Sequence, residues 1–239
     1  MSEIIKNNRI TALLFRVISF MLSLFGVLDV IGVFSGHVAP NLLLYYTVQS
    51  NILVIIMFAI LIICSAKDIK ESGIHGPSSY CERPTAIIML AITVTMLVFW
   101  VVLAPFMSVA PEMGMNVFSL WSFQNLQPHL ITPLLIIIDY FVFEKPGTLT
   151  RRDPWIFAAI PLSYLIQATI LGFSGANYGV AGFEQHFPYF FMDYYVLGWK
   201  VAIYVVVILI FFLALAYGLI WFDKKRLKSK NNDTVSEAK

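Results

Sequence analysis

The chain has 239 residues, 59% of them hydrophobic and only 13% charged, with a net charge of +2 and a mean hydropathy of +0.80. Soluble domains carry roughly 45–50% apolar and about 25% charged residues, so this composition excludes a single soluble domain and points to a polytopic membrane protein. No cofactor motif is seen, and no nucleic-acid partner is expected.

Segments nearly free of charge predict membrane spans at about 10–34, 41–66, 86–109, 127–144, 154–173 and 196–222, since crossing a bilayer takes roughly 20 apolar residues. The expected fold is all-α, a six-helix transmembrane bundle forming one integral membrane domain over residues 1–239, with a basic tail at 223–239. Fourteen of the 16 Lys and Arg lie before span one, between spans two and three, between four and five, and after span six. By the positive-inside rule both termini are therefore expected in the cytoplasm. Span one outruns the apolar core of a signal peptide, about 7–15 residues, and no A-x-A site follows it.

In chain order, span one carries Arg16 and Asp29. Span two opens with Tyr45-Tyr46-Thr47-Val48-Gln49-Ser50-Asn51, in which Thr47, Ser50 and Asn51 share a helix face. The loop from Lys67 to Pro84 is turn-rich, and Cys64, just before it, and Cys81, within it, lie on the side where a disulfide is not expected. Ser108 to Leu126 is long enough for a short interfacial helix. Pro128-His129 opens span four, whose Asp139 is expected to pair with Arg16 as a structural ion pair, a proton pathway being the alternative. Asp153-Pro154 reads as an N-cap followed by proline at the first helical position. The segment from Gly172 to Leu197 is dense in aromatics, including Tyr189 and Phe191, and is expected to fold back over the helix ends as a lid. Asp193 and Lys200 flank the entry to span six.

Polar groups are costly in hydrocarbon, so such a cluster serves either as glue between helices or as a site. As glue, each Thr, Ser or Asn contact contributes about 0.6 kcal/mol. As a site, Thr47 is a nucleophile that needs a base, and a neutral His129 imidazole within about 3 Å would supply it. A carboxylate, Asp193 or Asp29, would orient the imidazole, with Asp193 alternatively holding Lys200, and Asn51, Gln49 or Ser50 would serve the oxyanion. A metal held by His129, His186, Glu184 and Asp193 has no recognisable ligand spacing, and none is expected.

At these residues the chain resembles the androgen-induced-gene-like family of six-helix membrane proteins, especially its bacterial branch. Tyr46-Thr47-Val48-Gln49-Ser50-Asn51 looks like the bacterial aromatic-Thr-x-Gln-Ser-Asn motif. His129, with Pro133 four residues on and Asp139 ten residues on, is similar to the family's second motif. Phe187-Pro188-Tyr189-Phe190-Phe191-Met192-Asp193 is similar to the Tyr-Pro-Tyr-Pro-Phe-Leu-Asp stretch, with Phe190 where proline is usual. Animal members are threonine hydrolases that cleave fatty acid esters of hydroxy fatty acids, and Thr47 falls where those enzymes have their nucleophile. The resemblance implies an intramembrane hydrolase of a lipid ester, with membrane lipids as surroundings and a bacterial plasma membrane as location. The alternatives are a non-catalytic lipid or small-molecule binding protein or transporter using the same pocket, and a structural or regulatory membrane subunit. The sequence leaves substrate and oligomeric state open.

Overall fold

The computed structural model describes residues 8–105, 120–179 and 184–237, the last helix beyond residue 229 as backbone only. Six helices organise it: α1 (Arg9–Val30), α2 (Tyr46–Ser72), α3 (Glu82–Val98, running on into a π-helical turn at Phe99–Leu103), α4 (Phe123–Phe143), α5 (Asp153–Phe173) and α6 (Val201–Glu237). Six spans are long and apolar enough to cross a membrane, the sixth being Tyr194–Ser229, which includes the turns that lead into α6. Among the described residues no strand forms. The protein is an all-α, multi-pass bundle. Trp121 and Trp199 are 73% and 75% exposed at one end, and Trp155 and Trp221 are 62% and 65% exposed at the other. Paired tryptophan girdles of this kind mark the two headgroup levels.

Helices α1 to α4 close into a ring, α1 touching both α2 and α4, and α3 standing between α2 and α4. Helix α5 packs on α3, and α6 packs on α5. The apolar core runs through Val54, Phe58, Leu61, Met89, Ile92, Ile136, Phe157 and Phe212.

Several helix limits differ from the sequence expectation, each for a local reason. Helix α1 stops at Val30 because the chain turns at Gly32 (φ +85), where a Cβ would meet the His37 carbonyl oxygen at 2.2 Å. Residues Pro40–Leu44 form a separate 3-10 turn, and α2 starts at Tyr46 and continues beyond the expected end to Ser72. The start of α4 lies one turn before Pro128. Asp153 is not a cap: Arg152 takes that position, while the Asp153 carboxylate is occupied by Arg83 and the Thr150 amide. The expected basic tail at 223–239 begins as a continuation of α6, which runs to Glu237. The expected interfacial helix within Ser108–Leu126 falls mostly outside the described residues.

Charges gather at the end that carries the basic loops. Arg9 caps the end of α2, donating to the Ser72, Gly73 and His75 carbonyls at 3.1, 2.9 and 2.5 Å and pairing with Asp68 at 2.6 Å. Deeper in the ring, Arg16 is fully buried and holds Asp139 through two bonds, Nε to Oδ1 at 2.8 Å and Nη2 to Oδ2 at 3.3 Å. It also donates to Ser65 Oγ at 2.9 Å and the Ser78 carbonyl at 3.0 Å. Tyr80 and Phe143 rings cover the guanidinium, each with its centroid 5.5 Å away. The expected ion pair between spans one and four therefore exists, tied as well to α2 and the loop after it.

A buried pair is costly to form and more costly to break. Arg16→Leu, which strands Asp139, is expected to lower stability by about 3–5 kcal/mol, and Arg16→Leu with Asp139→Leu to recover most of that loss. Thermal melts in detergent check both.

The same cluster holds a second buried carboxyl, Glu144, whose Oε1 lies 3.6 Å from Arg16 Nη2. Ser79 Oγ lies 2.7 Å from Glu82 Oε1 and 2.8 Å from Glu144 Oε2, and also accepts the Lys145 amide at 2.9 Å. A hydroxyl has one hydrogen, so Ser79 donates to one of these carboxyl groups at a time, and Glu144 Oε2 also accepts the Tyr80 amide at 3.2 Å. Glu144 is the buried one, 3% exposed. Burial, with the Asp139 charge nearby, pushes its carboxyl up to about 7 against the opposing help of Ser79 and Arg16. A raised carboxyl favours the folded state while protonated, so this contribution is complete below the ordinary glutamate range near 4.5 and is lost as pH rises through about 7. Wild type is expected to lose about 3 kcal/mol across that window relative to Glu144→Gln, whose melting profile lacks this component. Parallel profiles for the two proteins would contradict the assignment.

Candidate functional site

At the opposite end of the bundle, two prolines open α4 around His129. Pro133 has no N–H, so the His129 carbonyl lacks its helical donor and accepts Trp100 Nε1 from α3 at 3.0 Å. In the π-helical turn Gln127–Ile131 the Thr132 amide bonds to the Gln127 carbonyl. That leaves the Pro128 carbonyl to accept Asn51 Nδ2 from α2 at 3.1 Å. The His129 ring lies flat on Phe99, centroids 3.7 Å apart at 17°, and Phe99 opens the π-helical turn of α3. Such turns recur at functional sites, and here two of them meet at one histidine.

His129 Nδ1 lies 2.9 Å from the Asn125 carbonyl. A carbonyl only accepts, so Nδ1 carries the hydrogen and Nε2 keeps the basic lone pair. The carbonyl does the orienting expected of a carboxylate.

Thr47, in the first turn of α2, faces a cavity whose lining does not include His129. It lines a partly open cavity of about 110 Å³ with Thr95 and Val98 of α3, Pro161 and Tyr164 of α5, Tyr189 and Phe191 of the aromatic segment, and Ile208 and Phe212 of α6. Tyr46, Val94, Leu103, Leu162, Leu165, Met192, Val205 and Leu209 complete the wall, and none of the lining residues is charged. The volume is of the order of the ~150 Å³ engineered cavity that takes up benzene.

The aromatic segment roofs this cavity. Tyr45 donates to the Tyr178 carbonyl at 2.8 Å and Asn41 to the Gly179 carbonyl at 2.5 Å, fastening the segment to the start of α2. Tyr189 and Phe191 stack at 5.2 Å and 8°. Gly172 admits the Phe187 ring, since a Cβ there would lie 2.3 Å from it.

The other candidates divide between glue and surface. Ser50 bonds Thr95 at 3.0 Å and the Thr47 carbonyl at 3.1 Å. Asn51 Nδ2 is saturated by the Thr47 and Pro128 carbonyls, at 2.7 and 3.1 Å. Gln49 donates to the Leu43 carbonyl at 3.2 Å. Asp193 neither orients His129 nor holds Lys200: its Oδ1 caps the short helix Tyr194–Leu197, accepting the Tyr195 and Val196 amides at 3.0 and 3.1 Å. Lys200 is exposed and Asp29 half-buried, and neither joins an ion pair among the described residues. No hydrogen bond joins Thr47 to His129. Asn51 links their helices instead. Among the described residues no group of three or more His, Cys, Asp or Glu is arranged for a metal.

Further residues shape this region without a strong signal in the sequence. Gln127 is fully buried, reaching the Leu22 carbonyl at 3.0 Å and Thr132 at 2.6 Å, and Gly26 leaves room for it. An amide beside Pro128 was the available signal. Thr95, Phe99 and Tyr164 offered only single polar or aromatic residues in apolar runs.

Compared with protein-family models, curated proteins and solved structures, the chain matches none. The family resemblance therefore rests on the three motifs.

Because Asn51 ties α2 to α4 while Ser50 only reinforces α2 and α3, their losses should differ. Ser50→Ala is expected to cost about 0.6 kcal/mol, and Asn51→Ala, which orphans a buried carbonyl, about 1–3 kcal/mol. Detergent melts of the two variants test the order.

Proposed function

We propose that this protein is an intramembrane hydrolase of a lipid ester, acting from the cell membrane with both termini in the cytoplasm. Thr47 is the nucleophile and His129 the base. The observation that carries this reading is the position of the Thr47 hydroxyl in an uncharged cavity under an aromatic roof. An apolar chain is soluble in such a cavity, and water is scarce at the ester. The free Nε2 of His129 supports the base role, since it is the nitrogen able to take a proton. Attack would transfer the acyl group from the alcohol oxygen to Thr47 Oγ, with the Thr47 proton passing to the imidazole and on to the leaving alcohol. Water then releases the acid.

His129 stacks on Phe99, and Asn51 joins its helix to that of Thr47 through the Thr47 and Pro128 carbonyls, with no hydrogen bond between Thr47 and His129 themselves. That separation favours a second reading, a non-catalytic lipid-binding protein or transporter that uses the cavity alone.

Labelling with a fluorophosphonate probe decides between them, using Thr47→Ala and His129→Ala variants shown by size exclusion and thermal melt to be folded. The hydrolase reading expects modification of Thr47 in wild type and at least a 100-fold fall in labelling rate in His129→Ala, the usual contribution of a general base being about 10²–10⁴. A well-folded wild type that is not labelled leaves the binding reading in place.

A further inference from the structure

Of the hydroxyls around the cavity, one has no well-formed hydrogen bond within the protein. Thr95 is engaged by Ser50 and bonds back to the Ala91 carbonyl at 3.4 Å, and the Tyr46 hydroxyl reaches the same carbonyl at 3.4 Å. The Tyr189 hydroxyl faces those of Thr47 and Tyr164 within interaction range. Tyr164 is 7% exposed, lines the cavity, and its hydroxyl is buried without a well-formed hydrogen bond. Its ring is held against Tyr46, centroids 5.0 Å apart. A buried donor without a well-formed partner is costly, and Tyr164 forms part of the cavity wall.

The amides expected to serve an oxyanion are committed elsewhere, Asn51 to two carbonyls and Gln49 to Leu43. We infer that Tyr164, seconded by Tyr189, is the donor that receives the carbonyl oxygen of a neutral lipid in this cavity. The inference rests on the reading that the cavity takes a lipid, and it narrows the lipid's chemistry. A phenol donates one hydrogen bond to an ester or ketone oxygen at little desolvation cost. A carboxylate or phosphate would meet no cation among the lining residues and would lose its hydration. The group bound at Tyr164 is therefore an uncharged carbonyl, and any charged part of the same lipid lies outside the cavity.

The test compares binding of a tritiated long-chain dialkyl ketone, the alkane of equal length and the matching fatty acid at pH 8 to the full chain in nanodiscs. A ketone is not hydrolysed, so binding is read apart from turnover. Wild type is expected to prefer the ketone over the alkane by about 3- to 10-fold, the worth of one net hydrogen bond, and to bind the fatty acid no better than the alkane. Tyr164→Phe, checked for folding by its melt, is expected to lose that preference while keeping alkane affinity.

Three outcomes overturn the inference: no ketone preference in wild type, a preference that survives in Tyr164→Phe, or a variant that loses ketone and alkane alike, which marks Tyr164 as packing. Stronger binding of the fatty acid than of the ketone overturns the neutral-carbonyl assignment. A ketone preference that depends on Tyr164, in a protein whose Thr47 is never labelled, sinks hydrolysis and leaves this inference standing.

Discussion

Everything in this bundle answers to the absence of water in its interior, and the Arg16 guanidinium meets that constraint in its hardest form. A fully buried cation needs its charge and its donors answered within the protein. Asp139, Ser65 and the Ser78 carbonyl do so, drawn from α4, α2 and the loop that follows it. One side chain thus sets how three helices and a loop meet. The Glu82–Ser79–Glu144 group follows from the same arrangement, since a second buried carboxyl beside Asp139 is answered by Arg16 Nη2 at 3.6 Å and by the Ser79 and Tyr80 donors.

The opposite end is organised by neutral groups. Prolines 128 and 133 leave carbonyls that helix geometry does not satisfy, and Asn51 and Trp100 supply the missing donors. These bonds cross from α2 and α3 to α4 and place His129 against Phe99. A disruption of helical bonding is therefore what binds the ring together there. Between α3, α5 and α6 the packing is less complete, and the gap beneath the aromatic segment is the cavity. The bundle pairs a ring held by polar contacts with an outer pair of helices held by apolar ones, and Thr47 lies at their boundary.

Legibility in the sequence followed the strength of the physical signal. Span number was plain because hydrocarbon demands long apolar runs. The partnership of Arg16 and Asp139 was legible because neither charge can stand alone at that depth. Asp193 has the chemistry of an orienting carboxylate. Its position just before a helical turn makes capping the nearer use, and two amides claim it. The division of roles among Thr47, Ser50 and Asn51 was not legible: all three share one face by periodicity, yet a helix face is broad enough for Ser50 to meet α3, Asn51 α4 and Thr47 the cavity.

By itself the sequence determined the class of protein, the number of spans and the end at which charges collect. Those properties follow from composition and local spacing, which any solvent of low dielectric enforces on the chain. Tertiary structure alone decided that Thr47 lines a cavity whose wall does not include His129, that the Asn125 carbonyl rather than an acid holds the imidazole, and that Tyr164 and Tyr189 share the cavity wall with Thr47. Such facts depend on how helices far apart in the chain rotate and dock, and rotation is settled by packing and by the pairing of buried polar groups, which no single segment contains.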